Sequence, residues 1–321
     1  MKKIFIILSS FILLFSSCDT DFDVNAHWEE IAVVYGLLDA SLDTQYVRIN
    51  KAYLGEGDAI SMAQHADSIN FNLDDLDVKL HKLGFNDTLM SIPLEDTVFY
   101  KEDGLFAVDK NIIYRVIPPS GFLNKNNRYA ITINNINTGN QVHSNTEIIG
   151  DFEYSNIDDD ERFGFVVGSQ QIGYDFFDKT IRWEKSDNGE VYQLTFIFNY
   201  KENGILKSLV WTQGMVSTLP YETKLEASSL FTLLGQHLSD DSSVILRQFV
   251  GIDLIMTVGT RDLNNYMKLN EPITGIVQQR PQFTNINNGI GIFSSRFSYT
   301  TINHQITQAT REYLSEMYGF Q

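Results

Sequence analysis

A single cysteine, Cys18, stands in 321 residues. The chain can therefore form no intramolecular disulfide, no cysteine zinc site, and a thiol nucleophile only at Cys18. Basic residues are scarce as well: 24 Lys and Arg against 41 Asp and Glu give a net charge of −17, with no basic run to offset it locally. Such a surface repels phosphate backbones, which argues against nucleic-acid binding. After the first dozen and a half residues no second long apolar run occurs, and there is no internal repeat and no low-complexity tract. At 43% hydrophobic and 12% aromatic the chain can bury a core, which argues against disorder.

Recognisable catalytic patterns are missing too. The six histidines, His27, His65, His81, His143, His237 and His304, are not paired at metal-ligand spacing and read as ordinary surface or boundary residues. No nucleophile elbow, phosphate-cradling glycine loop or dinucleotide fingerprint occurs. Asp158, Asp159 and Asp160 lack the glycine and glutamate that a calcium loop needs, since Phe163 and Ser169 occupy those places. A solvated linker is the expectation there, and neither metal nor cofactor is expected.

The N-terminus is the most informative stretch. Lys2 and Lys3 precede Ile4 to Phe15, apolar except for Ser9 and Ser10, and then Ser16, Ser17 and Cys18. This run is shorter than the ~20 residues a membrane-spanning helix needs and has the parts of a secretory signal peptide. Because its small residues end in a cysteine, it resembles the lipobox of bacterial lipoproteins, with Phe15 where leucine is usual. The resemblance implies cleavage before Cys18, a diacylglycerol on its sulfur and an acyl chain such as palmitate on its amine. Cys18 is thus the candidate lipidation site, and several acyl chains on one residue anchor stably. Asp19, Asp21, Phe22 and Asp23 follow, and in the Bacteroidota such acids resemble a signal for display on the cell surface.

Period-two alternation dominates the remainder, as at Val47 and Ile49, Val78 and Leu80, and Tyr129, Ile131 and Ile133. From Val191 to Tyr200 the residues Tyr192, Leu194, Phe196, Phe198 and Tyr200 share one strand face. Asn188-Gly189 before it predicts a tight turn, and with it a hairpin from Thr180 to Tyr200. Another strand runs through Ile252, Leu254, Met256 and Val258. Helical spacing predicts a helix from Lys224 to Ser239, a second on Ile306, Tyr313, Leu314 and Met317, and a short one N-capped by Thr260. Gly55 to Asn72 and Pro118 to Asn127 read as surface excursions. The expected organisation is a signal peptide over 1–17, a lipidated acidic tether over 18–28, an N-terminal β-sandwich over 29–149 and a C-terminal β-rich domain with helices over 150–321.

Two motifs carry a wider resemblance. Val33-Val34-Tyr35-Gly36-Leu37-Leu38 with Tyr46-Val47-Arg48-Ile49, and Pro281-Gln282-Phe283-Thr284-Asn285-Ile286 with Asn288-Gly289-Ile290-Gly291-Ile292-Phe293, resemble the opening and closing strands of the Bacteroidota outer-membrane lipoproteins called domain of unknown function 4249. The resemblance implies a mainly β, β-rich α+β fold: an immunoglobulin- or transthyretin-like sandwich, then a second β-rich domain with two or three helices. It implies no enzymatic activity, and an accessory role beside an outer-membrane β-barrel such as a TonB-dependent receptor. Asn288, Gly289 and Gly291 read as a structural turn, since they permit positive φ and close backbone approach. Ser68, Thr88 and Thr97 each follow an aspartate and precede an apolar residue, which resembles the Bacteroidota O-glycosylation sequon.

The leading expectation is a non-catalytic accessory or binding lipoprotein facing the cell exterior. A glycan- or peptide-capturing module using Trp28, Trp183 and Trp211 is the alternative, and a hydrolase with two converging carboxylates is a third.

Overall fold

The computed structural model describes residues 31–52, 69–100, 110–158, 160–238, 244–270 and 282–321. Cys18, the acids from Asp19 to Asp23, Trp28, His27, His65 and Ser68 lie outside them. Among the described residues 53% are strand and 15% helical, a β-rich α+β fold with three α-helices.

The first half supplies β1 (Ile31–Asp39), β2 (Gln45–Ala52), β3 (Leu76–Leu83), β4 (Thr88–Pro93), β5 (Glu95–Tyr100), β6 (Lys110–Val116), β7 (Arg128–Asn135) and β8 (Gln141–Glu147). Four of them form a sheet in the order β4-β3-β7-β8. Alternation decides which side is buried: Val78 and Leu80 of β3 and Ile131 and Ile133 of β7 share a core with Val34, Leu38, Val47, Ile49 and Tyr114. These last belong to β1, β2 and β6, so two sheets pack face to face as a sandwich. Tyr129 lies at the start of β7 with its hydroxyl bonded to the carbonyl of Phe122 at 2.5 Å, and it receives the Asn124 N–H at 2.9 Å. This is the geometry of the tyrosine corner found in immunoglobulin-type sandwiches.

The second half supplies β9 (Arg162–Phe163), β10 (Val166–Ser169), β11 (Gly173–Phe176), β12 (Lys179–Arg182), β13 (Val191–Glu202), β14 (Ile205–Thr212), β15 (Glu222–Leu225), α1 (Ala227–His237), β16 (Arg247–Gly259), α2 (Arg261–Asn270), β17 (Gly289–Ile306) and α3 (Gln308–Tyr318). The aromatic face of β13 and the Ile252, Leu254, Met256 and Val258 face of β16 are buried with Leu230, Phe231 and Leu234 of α1 and Leu314 of α3. Asp178 caps α1 from outside by accepting the Ala227 N–H at 2.9 Å, and Lys224 pairs with its other oxygen at 2.6 Å. The lysine and the backbone N–H together hold the Asp178 carboxyl below its ordinary range.

One sheet joins the halves, in the order β14-β13-β16-β17-β1-β2-β6-β5. Its central contact is the parallel pairing of β1 with β17, in register from Ala32 and Gly289 to Asp39 and Arg296. Glycine is required there. A Cβ on Gly291, whose φ is +112°, would lie 2.1 Å from the Val34 carbonyl oxygen, and one on Gly36 would lie 2.9 Å from the Phe293 ring. Phe293 and Phe297 are four residues apart on the same face of β17 and pack into the N-terminal and C-terminal cores respectively. Both cores therefore lie on one side of the sheet. The other side carries α2, which packs on β17 and β13.

Several expectations need correction. Residues 180–200 do not form a hairpin: β12 pairs with β15, while β13 pairs with β14 and β16. The turn itself is present, with Asn188 at φ 60° and Gly189 N–H bonded to Ser186 O at 3.0 Å, but a tight turn fixes chain reversal and not strand partners. Lys224 and Leu225 belong to β15 rather than to α1, because Lys224 pairs with Thr180. Ile306 ends β17, and Met317 of α3 is exposed. Phe122 and Phe71 are buried, so neither excursion runs wholly over the surface. His304 is buried as well, with Nε2 2.8 Å from the Thr301 hydroxyl and its ring against Phe163. Thr260 precedes α2 and accepts the Asn264 N–H on its carbonyl, while its hydroxyl bonds Ser294.

Glu202 ends β13 buried, with Lys207 at 2.5 Å and Arg247 at 2.9 Å. Arg247 also donates to the Tyr318 carbonyl at 2.8 Å, which ties the end of α3 to the sheet. Burial alone pushes the Glu202 carboxyl up, but the two cations outweigh it and hold the carboxyl below its ordinary value. A depressed native value stabilises the fold above the unfolded-state value of about 4.3, and that stabilisation disappears as the pH falls through the native one. The slope of melting temperature with pH below about pH 4.5 should thus be shallower in Glu202→Gln than in the wild type, as thermal denaturation at a series of pH values will show. In the same assay Gly291→Ala should prevent folding or lower stability by more than about 3 kcal/mol, whereas Gly121→Ala, at φ +72° with open space around it, should cost about 1 kcal/mol.

Candidate functional site

Two surface features gather polar or aromatic side chains. The first is a crevice of about 500 Å³ where the two halves meet. Its walls are Arg128 of β7, the end of β8 at Asn145 and Glu147, the turn from Lys185 to Glu190, and the start of α2 at Arg261 and Asp262. Most of these groups already have partners. Lys185 binds Glu190 at 2.9 Å, and that hydrogen bond holds its ammonium pKa above the ordinary value. Arg128 donates to Asn145. Asn188 donates to Ile148 O at 2.9 Å, which closes the turn onto the end of the first core.

Asp262 accepts from Asn285 at 2.9 Å, and Asn285 also exchanges both backbone bonds with Phe293, at 2.7 and 2.9 Å. Its carboxamide therefore links the closing motif to α2 through one planar group. Among the described residues only the Glu147 carboxylate and the Arg261 guanidinium of this crevice have no hydrogen-bond or ion-pair partner.

The second feature is the side of the sheet opposite the cores. Because Val34, Gly36 and Val47 point inward, Tyr35 and Tyr46 point out, as does Phe99 of β5. They are 44%, 43% and 47% exposed. Tyr46 and Phe99 meet edge to face at 6.2 Å, and Tyr35 meets Tyr266 of α2 at 6.4 Å. Burial and the neighbouring Tyr35 hydroxyl push the Tyr266 phenol up to about 12. Arg48 and Arg115 interleave with these rings on the same face.

The residues singled out in the sequence do not converge. Asn288, Gly289 and Gly291 lie at the start of β17, where Asn288 has φ 57° and donates to Gln141 O at 3.0 Å. Asn288 and Gly289 border a cleft of about 470 Å³ at the far end of the sandwich, lined by Phe71, Leu76 and Val142. Thr88 is exposed at the start of β4, and Thr97 is half-buried on the outward face of β5. Trp183 is buried against Tyr192, and Trp211 packs edge-on to Phe196. Neither offers a free ring for a sugar. Among the described residues no group of three His, Cys, Asp or Glu is placed to hold a metal, and no helix is long and apolar enough to cross a membrane.

Composition pointed only at tryptophans, and the exposed tyrosines and phenylalanine were missed. Their signal was the alternation of β1 and β2, where aromatic residues fall on the side opposite the aliphatic ones. No family model and no curated protein matches the chain.

Asn285→Asp keeps the shape but loses two donors and sets a carboxylate against Asp262. It should cost about 2 kcal/mol. Adding Asp262→Asn should recover part of that loss, by about 1 kcal/mol in a denaturant-melt double-mutant cycle.

Proposed function

We propose that the protein is a lipid-anchored, non-catalytic binding subunit of the outer membrane, displayed toward the cell exterior and held beside a β-barrel partner. The observation that carries this reading is the exposed aromatic face of Tyr35, Tyr46 and Phe99 at the anchored end of the fold. Aromatic and arginine side chains are the residues that interface hot spots favour. Between Cys18 and Ile31 lie 13 residue steps, which span at most about 45 Å when fully extended. The outward side of β1 and β2 is therefore within reach of protein that projects from the same membrane. Arg48 adds positive charge to that face, where Arg115 lies opposite Glu95, in a chain of net charge −17, which suits an acidic loop of the partner.

A TonB-dependent receptor fits the family that the two terminal motifs resemble. The acids from Asp19 to Asp23 fit export to the outer surface. Two of the three carboxylates of the crevice, Glu190 and Asp262, are engaged by Lys185 and Asn285, which favours binding over hydrolysis.

Co-purification of the full-length protein from detergent-solubilised outer membranes tests the reading. The wild type should bring down a barrel protein, and Tyr35→Ser with Tyr46→Ser and Phe99→Ser should lose it while keeping the wild-type melting temperature. A wild type that never carries another protein species, or an aromatic variant that carries the same one undiminished, would contradict the proposal.

A further inference from the structure

β14 is the outer strand of the large sheet, and among the described residues no strand pairs with its free edge. It joins β13 through the two-residue turn Asn203-Gly204, with φ of 49° and 84°, which sets Glu202 opposite Ile205. In a hairpin of that length the flanking residues form a hydrogen-bonded pair. Gln213, also odd-numbered, donates to Leu194 O at 2.8 Å, in the same phase. The odd-numbered residues of β14 thus turn their backbone groups to β13, and Leu206, Ser208 and Val210 turn theirs to the open edge.

Natural edges are protected by charge, proline or a bulge. β14 contains neither proline nor a bulge against β13, and its only charged residue, Lys207, is engaged by Glu202. Leu206 and Val210 are 61% and 59% exposed.

We infer that β14 pairs antiparallel with β14 of a second copy of this chain, around a two-fold axis through Ser208. Three observations select that occupant. The even-numbered residues present matching backbone groups, so a copy turned about Ser208 places Ser208 opposite itself and Leu206 opposite Val210, each pair exchanging both hydrogen bonds. In the same register Ile205 lies opposite Trp211, so the apolar side chains of the edge meet apolar ones. Charge supplies the third: two chains of −17 repel one another over most of their surface, and an edge strand without a carboxylate lets them touch. The paired sheets form one continuous sheet across the dimer, and the aromatic face at the other end of each sheet stays free.

Cysteine crosslinking of the full-length chain in intact cells tests the register, since Cys18 is the only native thiol. Opposed residues in a hydrogen-bonded antiparallel pair have Cα atoms about 5.5 Å apart, within the range a disulfide spans. Ser208→Cys should give a reducible band at twice the monomer mass, absent from the wild type and from Ser120→Cys on an exposed loop of the other half. Adding Leu206→Lys and Val210→Lys should abolish the band. Sedimentation of the detergent-solubilised wild type should give a dimer whose mass halves in Leu206→Lys with Val210→Lys. A monomeric wild type at micromolar concentration, equal crosslinking at Ser120→Cys and Ser208→Cys, or crosslinking that survives the two lysines overturns the inference.

Discussion

The structure depends on the parallel pairing of its first and last long strands. β1 opens the described fold and β17 nearly closes it, yet the two lie side by side from Ala32 and Gly289 onward. Nothing local brings them together. Parallel strands cannot be joined by a tight turn, and here almost the whole chain intervenes. The pairing is bought with side chains that are absent: Gly291 lets β17 approach the Val34 carbonyl, and Gly36 leaves room for the Phe293 ring. Once formed, it sets the N-terminal sandwich and the helix-covered C-terminal core on the same side of one sheet.

That arrangement determines what the molecule presents outward. With both cores on one side, the other side of the sheet is left for α2 and for exposed side chains. The N-terminal half of the sheet exposes Tyr35, Tyr46 and Phe99, and its opposite end exposes the edge of β14. Polar groups inside the fold serve the joints between elements. Asn285 links α2 to β17, Asp178 caps α1, and Glu202 with Arg247 fastens the end of α3. Each is satisfied by more than one partner, and for the buried Glu202 and the half-buried Asn285 that is the condition under which such groups are tolerated.

Much of this was legible in the chain. The alternation in β2, β3, β7, β13 and β16 identified the buried faces because each of these strands covers a core on one side only. The glycine-bearing motifs around Gly36 and Gly291 stood out as a family resemblance, and the structure gives them a physical role as two halves of one contact. What could not be read was partnership. Asn188-Gly189 announced a turn, but β12 pairs with β15, because a turn fixes chain reversal and not strand partners. The helical stripe begins at Ala227, and Lys224 before it is strand because it pairs with Thr180. The exposed aromatic face was visible only after β1 and β2 were known to turn their aliphatic residues inward. The lipobox-like run that ends at Cys18 remains the clearest functional signal, and it lies wholly in the N-terminal sequence.

The central claim is that one sheet makes the two cores a single cooperative unit. Native-state hydrogen exchange on the full-length protein measures this directly, residue by residue. The account predicts that the β1 and β17 amides and the two cores on either side exchange with the same opening free energy, that of global unfolding. A lower opening free energy across the whole N-terminal sandwich, with β16 and β13 still protected, would contradict it.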